Sequence, residues 1–212
     1  MTINRLNVED LPAIFHLLYN ELGLKNVGTN EAFPRGAAHC NLEDLDMSPE
    51  QRRLAEKLCM EAAEKYPNMS ATAGPLVIGK KLKEIKVEIN NPNAKHAATE
   101  AHLSSCGVAS NKIAIMHDGA VVPCHQLPDM VLGYVGETPL KTIWHESMGL
   151  QYLRSRHQIP LEHLETCKGC KYQKFCRGGC PATAYAATGK ITSRDPRSCF
   201  RALLGEDQQH VY

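Results

Sequence analysis

Seven of the nine cysteines form an ordered series: Cys106, Cys124, Cys167, Cys170, Cys176, Cys180 and Cys199. A fold that gathers thiols from several separated stretches is constrained more by this series than by any hydrophobic pattern. A four-iron, four-sulfide cube offers one thiolate site per iron. C-x2-C at Cys167 and Cys170 lets a single turn reach two corners, and further ligands must then arrive from other segments. Seven thiolates are too many for one such cluster and nearly enough for two. Gly119 permits a tight hairpin that returns Cys124 toward its neighbours, and Gly178-Gly179 lets the backbone approach closely before Cys180. Structural zinc also takes C-x2-C pairs, so spacing alone leaves zinc beside iron–sulfur. Clustered thiols in a chain without an export signal read as metal or catalytic ligands before they read as disulfides. Cys40 and Cys59 stand apart and read as buried or incidental thiols.

The rest of the composition excludes more than it selects. The net charge is +1 and no long run of like charges occurs, so no nucleic-acid or anionic-membrane partner is expected. No apolar stretch approaches the roughly 18–20 residues that span a bilayer. The start, MTINRLNVEDL, has neither an apolar core nor a cleavage site of the secretory kind, which places the chain in the cytoplasm.

The first half alternates short strands and helices. Thr2–Leu6 and Lys25–Thr29 read as strands. A helix is expected from an N-cap at Asn7, with Leu11, Ile14, Leu18 and Leu22 on its inner face, ending at Gly23. A polar loop follows around Pro34-Arg35-Gly36. Ser48-Pro49-Glu50-Gln51 is a capping-box start, and the helix it opens is expected to bury Leu54, Leu58, Ala62 and Tyr66, with Cys59 near the stripe. This order implies a parallel α/β unit over residues 1–92. Glu88–Asn93 reads as a linker, and a short helix is expected around Ala97–Leu103. Residues 93–212 form the second region. There Lys112–Met116 and Ala120–Val122 flank His117-Asp118-Gly119, a hairpin signal.

The series Cys106-x12-Gly119-x4-Cys124, then Cys167-x2-Cys170-x5-Cys176-x3-Cys180, then Cys199 resembles the SPASM domain of radical S-adenosylmethionine maturases. Gly119–Cys124, Leu132–Gly136, Leu140–Trp144 and Cys176–Pro181 resemble its recurrent phrases. The resemblance covers about residues 106–200 and favours iron–sulfur over zinc. It implies two [4Fe–4S] clusters, an outer one on Cys167, Cys170, Cys176 and Cys199 and an inner one on Cys106, Cys124 and Cys180. Fully ligated relatives carry a further cysteine just before the first of the series, and residues 98–105 hold none. The inner cluster would then have an open iron or a non-cysteine ligand, for which His102, read as a surface histidine on a short helix, is the nearest candidate. His125 follows Cys124 where sulfatase-maturing relatives place a carboxylate base, and is a weak candidate for such a role.

Radical initiation in this superfamily uses C-x3-C-x2-C, and the 212 residues contain no such triplet. The resemblance of the first hundred residues is weaker, to the closing part of a partial (β/α) barrel. The chain therefore reads as the C-terminal, auxiliary-cluster part of a maturase acting on a peptide or protein, truncated or one half of a split enzyme. The missing half, or a second copy, would be its partner and cover exposed strand edges. S-adenosylmethionine would be a cofactor only through that half. A stand-alone iron–sulfur electron-transfer or binding module is the alternative, and a non-functional remnant a third reading.

Overall fold

The structure, a computed structural model, describes residues 1–32, 36–66, 69–71, 75–91, 101–103 and 106–206. The chain divides into two compact units, Met1–His96 with Leu203–Gly205, and Ala97–Ala202 with Glu206–Tyr212.

Parallel pairing organises the first unit. β1 (Thr2–Ile3) pairs with β3 (Asn30–Glu31), and β2 (Asn26–Val27) pairs with β4 (Ser70–Ala71). Only Gly28 and Thr29 separate β2 from β3, so one extended stretch serves both partners. Helix α1 (Leu11–His16), continued by a π-helical turn over Leu17–Glu21, lies between β1 and β2 in sequence. A 3-10 turn over Gly36–Asn41, the short α2 (Leu42–Leu45) and the long α3 (Pro49–Lys65) lie between β3 and β4. The alternation expected from the sequence is therefore present, as two successive strand–helix–strand passages with parallel strands.

Local chemistry explains where the helices begin. Ser48 accepts from the Gln51 amide at 3.2 Å, and the Gln51 side chain accepts from the Ser48 amide at 3.1 Å, a reciprocal capping box with Pro49 in the first turn. Asn7 does something else. Its Oδ1 accepts from the Asn4 amide at 2.9 Å and its Nδ2 donates to the Thr2 carbonyl, so it ties a turn and Asp10 stands at the helix N-cap. The π-turn then rotates the buried stripe away from regular helical spacing. Leu11 and Phe15 are buried, Leu18 and Tyr19 pack at the edge, and Leu22 is exposed.

In α3 the fully buried face is Ala55, Cys59 and Ala62, leading to Tyr66, with Leu54 and Leu58 flanking it. Helix α4 (Pro75–Ile89) occupies residues to which the sequence reading gave no element and part of the expected linker. Gly79 is where α4 meets α3, since a Cβ there would lie 3.0 Å from the backbone and Cβ of Cys59.

The second unit is built from short elements. β5 (Ala114–Ile115), β6 (Ala120–Val122) and β7 (Gly133–Tyr134) form an antiparallel meander. Its hairpin is tightened at Gly119, whose φ is +84° and whose amide donates to the Met116 carbonyl at 3.0 Å. Asp118 supports the turn through its carboxylate, which accepts from the Ala120 amide at 3.0 Å. With positive φ only at the glycine, this is a turn followed by a left-handed glycine rather than a two-residue Asp-Gly turn.

Helices α5 (Leu140–Glu146) and α6 (Met148–Ser155) follow, then α7 (Pro181–Thr188) and the short α8 (Phe200–Leu203). The helix expected around Ala97–Leu103 falls partly outside the described residues. Its described end is not helical, because His102 forms an antiparallel bridge with Pro160, and Leu161 donates to the Ala101 carbonyl at 2.7 Å. No described helix is long and apolar enough to cross a membrane.

Candidate metal centre

Four of the seven cysteines line one cavity. Cys167, Cys170, Cys176 and Cys199 line it together with Thr166, Gln173, Arg194 and Asp195. Three local devices deliver them. Cys167 and Cys170 are carried on successive turns, with the Cys167 amide on the Leu164 carbonyl at 2.8 Å and the Cys170 amide on the Cys167 carbonyl at 3.1 Å. The Gly169 amide between them is held by both oxygens of Glu162, at 3.1 and 3.2 Å. A 3-10 turn over Gln173–Phe175 presents Cys176, and another over Pro196–Ser198, capped by the Asp195 carboxylate, presents Cys199.

The electrostatics of this cavity suit an anionic occupant. Cys167 is 8% exposed. Burial raises its thiol pKa; the Thr166 hydroxyl and Arg194 pull it down, while Cys176 and Cys199 add to the rise. The Gly178 amide donates to the Cys176 sulfur at 3.3 Å. Arg194 donates to Thr166 through Nε, and its Nη1 is buried at the cavity with no hydrogen-bond partner among the described residues. An unsatisfied buried cationic donor beside four thiols is costly unless an anionic group completes it. A thiolate-bound iron–sulfur cluster, with sulfides and thiolates as acceptors, meets that requirement. Among the described residues no three Cys, His, Asp or Glu side chains are drawn together around a single ion.

Of the other three cysteines, Cys180 and Cys106 both stand near Arg156, close enough for their charges to act on it. Cys180 is the N-cap residue of α7, where burial raises its thiol pKa against N–H and hydroxyl donors from Thr183 and the Ala182 amide. Its sulfur lies 4.0 Å from Oε1 of Gln126, two residues past Cys124. Cys124 follows β6, and its sulfur is 3.8 Å from Nδ1 of the exposed His125. Cys40 is exposed, and Cys59 is buried in α3 with its thiol pKa pushed far up by burial and by Glu56.

Two residues at this site escaped the sequence reading. Arg156 is 2% exposed and donates to the carbonyls of Ile191, Ser193, Gly178 and Gly179. Asp195 is 3% exposed and accepts from the Cys180 amide at 3.1 Å, the Ser198 hydroxyl at 2.9 Å and the Arg197 amide at 2.9 Å. It therefore links the segment that ends at Cys180 to the turn that presents Cys199. The glycine pair fits between these groups. A Cβ on Gly178 would lie 2.0 Å from Leu103, and one on Gly179 would lie 2.4 Å from Asp195 Cβ. No motif announces Arg156, whose partners are backbone carbonyls far away in sequence. Asp195 before Pro196-Arg197-Ser198 is a local cap signal, since it accepts from Arg197 and Ser198.

Comparison with known proteins agrees with the cysteine geometry. Residues 106–171 match the SPASM family, described as an iron–sulfur cluster-binding domain. That match takes in Cys106, Cys124, Cys167 and Cys170, and the remaining three cysteines of the series lie beyond it. The chain is 27% identical over 201 residues to an AdoMet-dependent heme synthase of Methanosarcina barkeri (strain Fusaro / DSM 804), covering 94% of this chain and 55% of that protein. It is 28% identical over 212 residues to an Fe-coproporphyrin III synthase of the same organism, covering 94% and 51%. The chain spans about half the length of the curated relatives it matches.

Proposed function

We infer that this chain, which carries the SPASM iron–sulfur domain of radical S-adenosylmethionine proteins, binds two auxiliary [4Fe–4S] clusters and supports substrate placement and electron transfer. The observation that carries the reading is the convergence of Cys167, Cys170, Cys176 and Cys199 from three segments on one cavity with an unsatisfied arginine donor. Those four residues would hold the outer cluster, and Cys106, Cys124 and Cys180 the inner one. When bound, such clusters supply one-electron transfer at potentials set by ligation, burial and hydrogen bonds to sulfur. The chain's own contribution is to fix the thiols in place, to donate N–H groups from Gly178 and Arg194, and to exclude water behind Leu161 and Phe200.

Residues 1–92 we assign to part of a (β/α) barrel, on the strength of two successive parallel strand–helix–strand passages, and residues 93–212 to the cluster domain. S-adenosylmethionine chemistry would need C-x3-C-x2-C cysteines from outside these 212 residues, in the same or another chain. A peptide or protein substrate is what the maturase resemblance implied. The names of the two relatives, both synthases, favour an iron–tetrapyrrole as the compound made, and we assign that class of compound to the site in place of a peptide. Nothing in the reading calls for nucleic acid or a membrane, and a cytoplasmic setting suits nine free thiols.

The test is anaerobic purification and reconstitution, followed by iron and sulfide counting and electron paramagnetic resonance. About eight irons and eight sulfides per chain, with two four-iron signals unchanged by S-adenosylmethionine, is the expected result. Stoichiometric zinc without labile sulfide would overturn the cluster assignment. Optical titration with Fe-coproporphyrin III then tests the compound class, and saturable binding that is lost in no other property of the chain is expected. Binding of a peptide with no response to the porphyrin would return the assignment to a maturase.

A further inference from the structure

Arg156 poses an electrostatic problem that its hydrogen bonds do not solve. The guanidinium is 2% exposed, and its four acceptors are all neutral backbone carbonyls. Carbonyls satisfy the N–H donors but do not neutralise the charge, and a buried charge requires a counter-charge. Burial opposes protonation here, and the groups that favour it are Cys180, then Asp195, then Cys106. Asp195 supplies one buried carboxylate opposite the guanidinium, and that same carboxylate accepts from the Cys180 amide, the Ser198 hydroxyl and the Arg197 amide. The other two groups are cysteines of the inner set, and the Asp195 carboxylate accepts from the amide of one of them, Cys180. Two of the four carbonyls belong to Gly178 and Gly179, the residues immediately before Cys180.

We propose that Arg156 is a positioning residue of the inner cluster, holding the Gly178–Cys180 approach and supplying the fixed positive charge that raises that cluster's reduction potential. The proposal rests on the two-cluster reading above. Arginine keeps its charge across the working pH range. Reduction adds one electron to the cluster, and a nearby buried cation stabilises that added charge far more than a solvent-exposed one does. Arg156 does not itself line the outer cavity, although Gly178, whose carbonyl it holds, does, so the outer cluster should feel the charge less than the inner one.

The experiment is an anaerobic redox titration of the reconstituted full chain with dithionite, followed by electron paramagnetic resonance, in the wild type and in Arg156→Gln and Arg156→Lys. The signal that disappears in Cys106→Ser identifies the inner cluster. Arg156→Gln is expected to move the inner midpoint to a more negative potential and to move the outer one less, while Arg156→Lys keeps both near wild type. Loss of the inner irons alone in Arg156→Gln, with recovery in Arg156→Lys, also supports the proposal. Unmoved midpoints in both variants, equal shifts of both clusters, or equal loss of all iron in both variants would overturn it, leaving Arg156 as a brace of the fold. A wild-type chain that takes up no iron and sulfide would instead sink the cluster reading on which the proposal stands.

Discussion

The two units solve the same problem of stability with different materials. The first gathers Ile3, Leu11, Phe15, Cys59 and Met69 into one apolar cluster, to which the long α3, opened by a capping box, contributes a buried stripe. The second uses elements of two to eight residues and buries Arg156, Asp195 and Thr183 among its cysteines. Apolar burial is non-directional and tolerates drift in spacing. A cluster site needs sulfurs at fixed corners, so the second unit uses turns, left-handed glycines and buried polar braces. The first unit should therefore stand without a cofactor, and the second should depend on one.

The sharpest way to break this contrast is to remove a ligand. Cys167→Ser should lower the iron count from about eight to about four and abolish amide-exchange protection around Tyr172 and Phe200, while α3 keeps its protection. Equal loss across both units would erase the distinction. The reciprocal change is Phe15→Ala, which removes a fully buried ring from the first core. It should cost about 3–5 kcal/mol in chemical denaturation of the first unit and leave the iron count unchanged.

A smaller effect comes from pH. Glu56 is buried, and desolvation, followed by the charge of Glu31, pushes its carboxyl well above the ordinary range. The folded state binds that proton more tightly than the unfolded state does. The stabilisation is fully present below the ordinary glutamate value and is lost as pH rises through the folded value. Glu56→Gln should melt with the wild type at about pH 4 and above it at about pH 8. Coincident melts at both pH values would show that Glu56 carries no such penalty. The smallest change is Ser48→Ala, which removes half of the capping box and should cost about 1 kcal/mol, read as faster exchange in the first turn of α3.

Features carried by near neighbours were legible in the sequence. The capping box at Ser48, the hairpin around Gly119, the parallel alternation of the first unit and the cysteine spacings all follow from residues within a few positions of one another. The expected stripe of α1 failed because a π-turn over Leu17–Glu21 re-phases the helix, and nothing in the pattern Leu11, Ile14, Leu18, Leu22 signals it. Asn7 reads as a cap but is drawn to Asn4 and Thr2 by a turn that only the folded chain forms. Helix α4 went unread, and its place depends on contact between Gly79 and Cys59, a tertiary fact.

By itself the sequence determined which atoms are available as ligands and how far apart along the chain they stand. It also determined where glycine allows the backbone to turn. Tertiary structure alone decided that Cys167, Cys170, Cys176 and Cys199 meet at one cavity, and that Arg156 and Asp195 stand behind them. The reason is physical: the acceptors of Arg156 are carbonyls, which every residue carries. Which carbonyls it meets is fixed by the path of the chain through Gly178, Gly179, Ile191 and Ser193, and of that path only the glycine pair leaves a mark in the sequence.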